Sequence, residues 1–327
     1  MNFNHDGIFE IKNTESFKEY ALQLFRYQAG ACTTYANFLA ILGCDVGSVS
    51  TLNKIPFLPI EFFKTQQIVS SDKPPEILFT SSGTTGMAQS KHAVTDVSLY
   101  EKSYLKAFNH FYGNIKEFCF LALLPSYQER NGSSLIYMVD DLIAKSDNSH
   151  SGYFLNNDAG LYKLLLQLKA AKQKTVLIGV TYALLDFIER YDVNFPELTV
   201  METGGMKGKR TEMVREALHQ QLAEGFGVEK IHSEYGMTEL LSQAYSTGDG
   251  IFVCPHWMKV LVRDVNDPFS YVRKGKTGGI NVIDLANINS CSFIATQDLG
   301  RLNEDDSFEV LGRFDHSDIR GCNLLVQ

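Results

Sequence analysis

Phe79-Thr80-Ser81-Ser82-Gly83-Thr84-Thr85-Gly86 follows directly on Ile77-Leu78, and this stretch decides how the chain is read. Ile77, Leu78 and Phe79 form a short apolar run that reads as a buried strand. Glycine lets the backbone turn until successive N–H groups face one anion, and the hydroxyls add further donors. A Walker loop would carry a Lys-Ser/Thr pair straight after its last glycine, whereas Met87-Ala88 stands here. A Rossmann fingerprint needs a different glycine spacing. Two readings stay open on these residues alone: a phosphate cradle at a strand end, or a polar linker.

Outward from the loop, strands and helices alternate. Residues 15–42 carry Phe17, Tyr20, Ala21, Leu24 and Phe25 at helical spacing, and residues 94–112 also read as helix. The region of Pro56 and Pro59 and residues 70–75 read as loops. An apolar run at 118–124 suits a strand covered on both faces. Helices are expected at 160–172, 182–191 and 211–224, with strands at 175–180 and 198–202 between them. That rhythm predicts βαβ units and a parallel sheet. From about residue 251 it changes to short strands at 258–263, 280–284, 292–296 and 308–311, an antiparallel or barrel-like closing segment.

With 327 residues, 44% hydrophobic and 21% charged, the chain can bury a large core. A formal charge of −8 argues against a nucleic-acid binder. The polar N-terminus, with Asp6 and Glu10, does not resemble a signal peptide, and no apolar run is long enough to cross a bilayer. A cytoplasmic protein without stable membrane insertion is expected. The six cysteines are scattered without any Cys-x-x-Cys pair, which speaks against a disulfide scaffold or a zinc ribbon. Cys254-Pro255-His256 offers two metal ligands without a companion pair.

Four further patches carry chemistry. Leu124-Pro125-Ser126-Tyr127-Gln128-Glu129-Arg130-Asn131-Gly132-Ser133-Ser134 leaves a strand end, where α/β sheets place ligands. Thr203-Gly204-Gly205-Met206-Lys207-Gly208-Lys209-Arg210 suits an anion or a solvated basic turn equally. His232-Ser233-Glu234-Tyr235-Gly236-Met237-Thr238-Glu239 combines an aromatic plane, a glycine, a hydroxyl and carboxylates. Asp298-Leu299-Gly300-Arg301 and Gly312-Arg313-Phe314-Asp315 set acid beside base in two turns. Their order resembles the adenylate-forming superfamily of acyl-CoA synthetases, adenylation domains and luciferases, from about residue 76 onward. Within it the chain is most similar to the acyl-protein synthetases of the bacterial bioluminescence fatty acid reductase system. The segments at 124–134 and 203–208, and the ending Arg320-Gly321-Cys322-Asn323-Leu324-Leu325, carry that likeness.

The resemblance implies an α/β adenylate-forming large domain over 1–310, β-rich from about 251, then a hinge-like tail over 311–327. It implies ATP-dependent activation of a fatty or other apolar carboxylic acid to acyl-AMP. Ser81, Ser82, Gly83, Thr84, Thr85 and Gly86 would hold the β- and γ-phosphates, and Thr85 with Glu239 would position Mg²⁺, a hard cation that prefers oxygen. Tyr235 would stack on adenine, beside Gly236, Gly204 and Gly205, and Thr238 would reach the α-phosphate. Asp298 would accept from the ribose hydroxyls, with Arg313 against ribose or phosphate and Lys207 as a further cation. Without the likeness, the favoured readings are Tyr235 as a core aromatic and Glu239 as a capping or surface carboxylate.

Two departures stand out. Many relatives place Pro-Lys just after the loop, whereas Ala88-Gln89 occupies those positions and the nearest lysine is Lys91. Larger relatives also continue into a mobile domain with an adenylation lysine, which is expected to be absent here, so the cation of the first half-reaction is unassigned. Cys322 is the expected acyl acceptor, since a thiolate attacks an acyl-adenylate well and Arg313 or Arg320 can lower its pKa. An acyl or fatty acyl reductase is the expected protein partner. Tyr127, Tyr137, Tyr182, Leu184 and Leu185 are candidates for an alkyl pocket or simply for core. The competing readings are an acid:CoA ligase of the phenylacetate-activating type and a non-catalytic nucleotide-binding subunit.

Overall fold

Asn13 begins the first helix by accepting the N–H of Ser16 at 2.9 Å, which satisfies one of the free donors of its first turn. The computed structural model describes residues 7–82, 88–125, 132–204, 210 and 213–314. Spacing predicts one helix over 15–42, but the structure divides it into α1 (Thr14–Ala31) and α2 (Thr33–Ile41). Cys32 between them is extended, and Gly30, Thr33 and Thr34 are weak helix formers. The break lets Tyr35 stack on Phe293, ring centroids 6.2 Å apart, and donate to the Pro56 carbonyl at 2.6 Å. A short strand, β1 (Leu58–Pro59), and one helical turn, α3 (Phe62–Thr65), follow.

The expected strand at 77–79 is β2 (Ile77–Thr80), but it lies outside the main sheet. It forms an antiparallel pair with β3 (Lys91–Val94), which the apolar pattern does not announce because Lys91 and His92 are polar. Burial is one-sided: Phe79 is fully buried while Leu78 is 47% exposed, as alternation of side chains along a strand requires. Residues 81–90 connect the two strands in sequence, and of these 83–87 lie outside the described residues.

Asp96 caps α4 (Val97–Phe111), three positions later than the expected helix start, because Val94 still belongs to β3. Then come β4 (Cys119–Leu123), α5 (Ser134–Ser146), β5 (Gly152–Tyr153), α6 (Asp158–Ala170) and β6 (Thr175–Val180). They are followed by α7 (Thr181–Ile188), β7 (Thr199–Thr203), α8 (Arg215–Phe226) and β8 (His232–Tyr235). Strands β5, β4, β6, β7 and β8 run parallel in that order, as the alternation predicts. Every residue of β4 and β6 is buried, since helices cover both faces of such a sheet.

The closing segment is continuous with this sheet instead of forming a separate barrel. It comprises β9 (Ala244–Ser246), β10 (Ile251–Val253), β11 (Met258–Arg263), β12 (Thr277–Asp284), β13 (Phe293–Leu302) and β14 (Phe308–Arg313). The sheet changes direction between β8 and β9, and the order runs on through β10, β14, β13 and β12 to β11. β1 lies parallel beside β13, pairing Leu58 with Ile294 and Pro59 with Ala295. The N-terminal segment is thereby fastened to the far end of the chain. β14 runs without interruption across position 310.

Candidate active site

One cleft of about 1160 Å³ opens where β7 and β8 end, bounded by the hairpin on one side and by β13 and β14 on another. Ser81 and Ser82 enter it from the hairpin, Thr203 and Gly204 from β7. Tyr235, Gly236, Thr238 and Glu239 enter it after β8, and Asp298 and Arg313 come from β13 and β14. These ten residues, all from stretches singled out in sequence and separated by up to 232 positions, thus share one cavity (Ser81 to Arg313). Gly83, Thr84, Thr85, Gly86, Gly205, Lys207 and Cys322 lie outside the described residues.

The hairpin base is stitched in place. Ser81 N–H donates to the Ser90 carbonyl at 3.1 Å, and Ser90 N–H returns a bond to Ser81 Oγ at 2.9 Å. Thr80 N–H donates to Gly132 O at 2.7 Å, where a positive φ of 85° turns the chain as only glycine does readily. His92 on β3 is fully enclosed, with Nδ1 2.8 Å from the Thr238 carbonyl and Nε2 3.0 Å from Ser290 Oγ. The hairpin and the Thr238–Glu239 peptide are therefore held to one another. Ser90 also hydrogen-bonds the Glu239 side chain.

Tyr235 is fixed rather than loose: Phe252 and Phe308 meet its ring edge-on at 5.9 and 5.6 Å. Its hydroxyl donates to Asp298 Oδ2 at 2.8 Å, while Arg313 Nε lies 3.2 Å from Asp298 Oδ1 across the β13–β14 pair. Each Asp298 oxygen keeps a further lone pair for an incoming hydroxyl. Burial raises the Asp298 pKa, and Arg313 and Tyr235 oppose that rise. Burial likewise raises the Glu239 carboxyl, 6% exposed, against the Ser90 hydrogen bond and the charges of Arg313 and Lys64.

Two further carboxyls line the cleft to which the sequence assigned no individual role, Glu234 within the quoted patch and Glu202 outside it. Glu234 accepts from Thr203 Oγ1 at 2.8 Å, and burial lifts its pKa to about 7 despite that bond, helped by the neighbouring Glu202 charge. Glu202 accepts from Ser233 Oγ at 2.9 Å; burial pushes it up, but His219, Ser233 and Arg215 outweigh this and leave it below the usual range. Gly236 makes room for Glu234, because a Cβ there would stand 2.3 Å from Glu234 Oε1. Its hydrogen-only side chain serves this packing, a role the motif did not announce. Gln243 is 3% exposed on the same wall, and its Oε1 has no partner.

Other expected residues sit elsewhere. Arg210 is held by Asp186 and by Glu189 at 2.7 Å, so its charge belongs to a surface pair and not to an anion in the cleft. Lys91 is exposed on β3 and does not line the cavity. Leu184 and Leu185 are core, and Tyr137 and Tyr182 lie outside the cleft wall; Tyr127 is not among the described residues. The apolar wall is made instead by Tyr100, Leu135, Met138, Leu218 and Met237. Among the described residues no three His, Cys, Asp or Glu side chains form a metal cluster, and no helix is long and apolar enough to cross a membrane. The donor set nevertheless suits a divalent ion delivered with a polyphosphate: among the described residues seven carboxyls line the cleft against three cations, so four negative charges could not enter uncompensated.

The family profile described as "Acyl-protein synthetase, LuxE" matches residues 9–327. Among solved structures, an open conformation of 2-hydroxyisobutyryl-CoA ligase in complex with 2-HIB-AMP and CoA superposes with a TM-score of 0.67 at 12% identity, over 91% of this chain and 74% of that one. ATP-bound MatB from Rhodopseudomonas palustris gives 0.54 at 16% identity, over 84% of this chain and 52% of its own. The luciferase-like enzyme of the nonluminescent Zophobas morio mealworm gives 0.52 at 16%, over 75% and 59%. No curated protein matches the sequence. The mixed α/β sheet architecture is thus that of adenylate-forming enzymes.

Proposed function

The chain belongs to the acyl-protein synthetase family, and from that premise we propose that it activates an apolar carboxylic acid with ATP and passes the acyl group to Cys322, then to a partner acyl reductase. The observation that carries this reading is the single cleft shared by Ser81, Ser82, Tyr235, Thr238, Glu239 and Asp298. In the reaction a carboxylate oxygen bonds to the α-phosphorus, the bridging P–O bond breaks, and pyrophosphate leaves with its electron pair. The chain's part is to position and to stabilise charge, which dominates catalysis of phosphorus transfer.

Asp298 accepts the ribose hydroxyls with the lone pairs that Tyr235 and Arg313 leave open. The ring of Tyr235, held by Phe252 and Phe308, offers a fixed surface to adenine. Ser81 and Ser82 direct hydroxyls toward the phosphates, with Gly83, Thr84, Thr85 and Gly86 completing the cradle. Glu239, with Thr85, would hold Mg²⁺, which when bound neutralises phosphate charge. The apolar acid lies along Tyr100, Leu135 and Met138.

Acyl transfer asks that a thiol reach the adenylate. Cys322 is eight positions beyond Phe314, at the end of the strand that carries Arg313. Eight residues span at most ~28 Å, enough to return to the cleft. There the thiolate sulfur bonds to the acyl carbon and AMP departs with the electrons of the broken C–O bond.

The test incubates the protein with ATP, Mg²⁺ and labelled medium- and long-chain acids, and follows pyrophosphate exchange and a hydroxylamine-sensitive adduct by mass spectrometry. Cys322→Ala is expected to abolish the adduct and retain exchange. Turnover that needs CoA and leaves no adduct would make the protein an acid:CoA ligase. No exchange and no adduct across the acid panel would leave a nucleotide-binding subunit.

A further inference from the structure

Among the described residues three cations line the cleft, Lys64, Arg215 and Arg313, and two of them are already engaged. Arg313 lies against Asp298 at 3.2 Å. Arg215 stacks over the Phe252 ring at 5.3 Å, donates to the Gly250 carbonyl at 3.4 Å and lends its charge to Glu202. The Lys64 ammonium group has no hydrogen-bond or ion-pair partner among the described residues, and its charge acts on Glu239.

Its placement is not incidental. Ile60 N–H donates to the Ala295 carbonyl at 3.0 Å, and Glu61 accepts from Gln297 Nε2 at 2.6 Å, so the entrance to this turn is tied twice to β13. Phe63 is fully buried with its ring 5.6 Å from that of His92, the residue bonded to the Thr238 carbonyl. Ile60, Glu61 and Phe63 are therefore anchored, and Lys64 follows directly, half-buried on the cleft wall near Glu239. An ammonium group kept unpaired in an acidic cleft has an anion as its natural occupant, since burial without a counter-charge is costly.

We propose that Lys64 contacts the β- and γ-phosphates of ATP, holding the leaving pyrophosphate, and is a catalytic residue of adenylate formation. The assignment rests on the function proposed above. As the bridging P–O bond breaks, the Lys64 ammonium group faces the charge that accumulates on the departing oxygens. No proton is transferred.

MgATP and AMP are titrated calorimetrically into the protein and into Lys64→Ala, Lys64→Gln and Lys64→Arg, with thermal unfolding recorded for each. Lys64→Ala and Lys64→Gln are expected to weaken ATP about tenfold or more, to leave AMP within about twofold, and to slow pyrophosphate exchange in proportion; Lys64→Arg retains most of both. A residue that merely supports Glu239 would lower stability or AMP binding together with ATP binding, and that result overturns the assignment. So does unchanged ATP affinity in Lys64→Ala. Failure of the unmodified protein to bind ATP removes the functional reading itself, and the Lys64 assignment with it.

Discussion

His92 shows how one side chain can set the geometry of a site without lining it. A carbonyl oxygen can only accept, so Nδ1 must carry the proton toward Thr238 O, and Nε2 then accepts from the Ser290 hydroxyl. Burial removes the water that would solvate an imidazolium and pulls the pKa from 6.5 down to about 4, against the opposing bond to Thr238. A depressed folded-state pKa contributes stability that is complete above the unfolded value and is lost as pH falls through the folded one. Between pH 6.5 and 4 the protein is expected to lose up to about 3 kcal/mol through this residue. His92→Gln should be less stable at pH 7.5, yet its stability should fall less between pH 6.5 and 4. Urea unfolding at pH 7.5, 5.5 and 4.5 measures both; a variant that declines as steeply as the parent would falsify this account.

At the scale of elements, the site depends on how closely β13 and β14 lie. Their register shifts between Leu299 and Gly300, one step from the Asp298–Arg313 pair. A Cβ at Gly300 would meet the Glu309 carbonyl at 2.5 Å and Ile280 Cδ1 at 2.6 Å, and the first of these is backbone that cannot swing aside. Gly300→Ala is therefore expected to push β14 outward, to cost about 1–3 kcal/mol, and to weaken nucleotide binding by loosening the hold of Arg313 on Asp298. Thermal unfolding and ATP titration check it together. Unfolding within a degree of the parent, with normal ATP binding, would show that the strands accommodate the methyl group. The motif Asp298-Leu299-Gly300-Arg301 thus carries two roles: the acid faces the cleft and the glycine permits the strand approach that holds it there.

Across the whole molecule, the cleft is braced from the N-terminal helix. Gln28 on α1 is fully buried and donates through Nε2 to the carbonyls of Asn287 and Ile288 at 2.8 and 2.9 Å, while its Oε1 accepts from Ser292 N–H at 2.9 Å. Asn287 Nδ2 passes the connection on to the Glu239 carbonyl at 2.8 Å. Asp284 fixes the chain just beyond, accepting from Leu241 N–H at 2.8 Å and Ser242 N–H at 2.9 Å. Gln28→Ala strands several buried backbone groups and is expected to cost about 2–4 kcal/mol, a loss of several degrees in thermal unfolding. It should also raise hydrogen exchange at Glu239, more than 200 residues away. Exchange confined to α1 would show that the brace does not extend to the site.

The sequence by itself determined the order of the motifs, the alternation that yields parallel strands, and the family. Each of these is written in short stretches: side-chain periodicity of two or 3.6, glycines at turns, and hydroxyls grouped after an apolar run. Ser81, Tyr235, Thr238, Glu239 and Asp298 were legible for that reason. The tertiary structure alone decided what joins them. The loop hairpin stands outside the main sheet because Phe79 is buried on one face only, the helix over 15–42 breaks so that Tyr35 can reach Phe293, and Arg210 turns to Asp186 and Glu189. Lys64, His92 and Gln28 carry no local signal, since the partners of His92 and Gln28 lie 146 to 264 positions away and the Glu239 carboxyl that feels the Lys64 charge is far along the chain. Such pairings depend on the packing of the entire chain, and burial, which raises the pKa of Glu234, Glu239 and Asp298, exists only once that packing is complete.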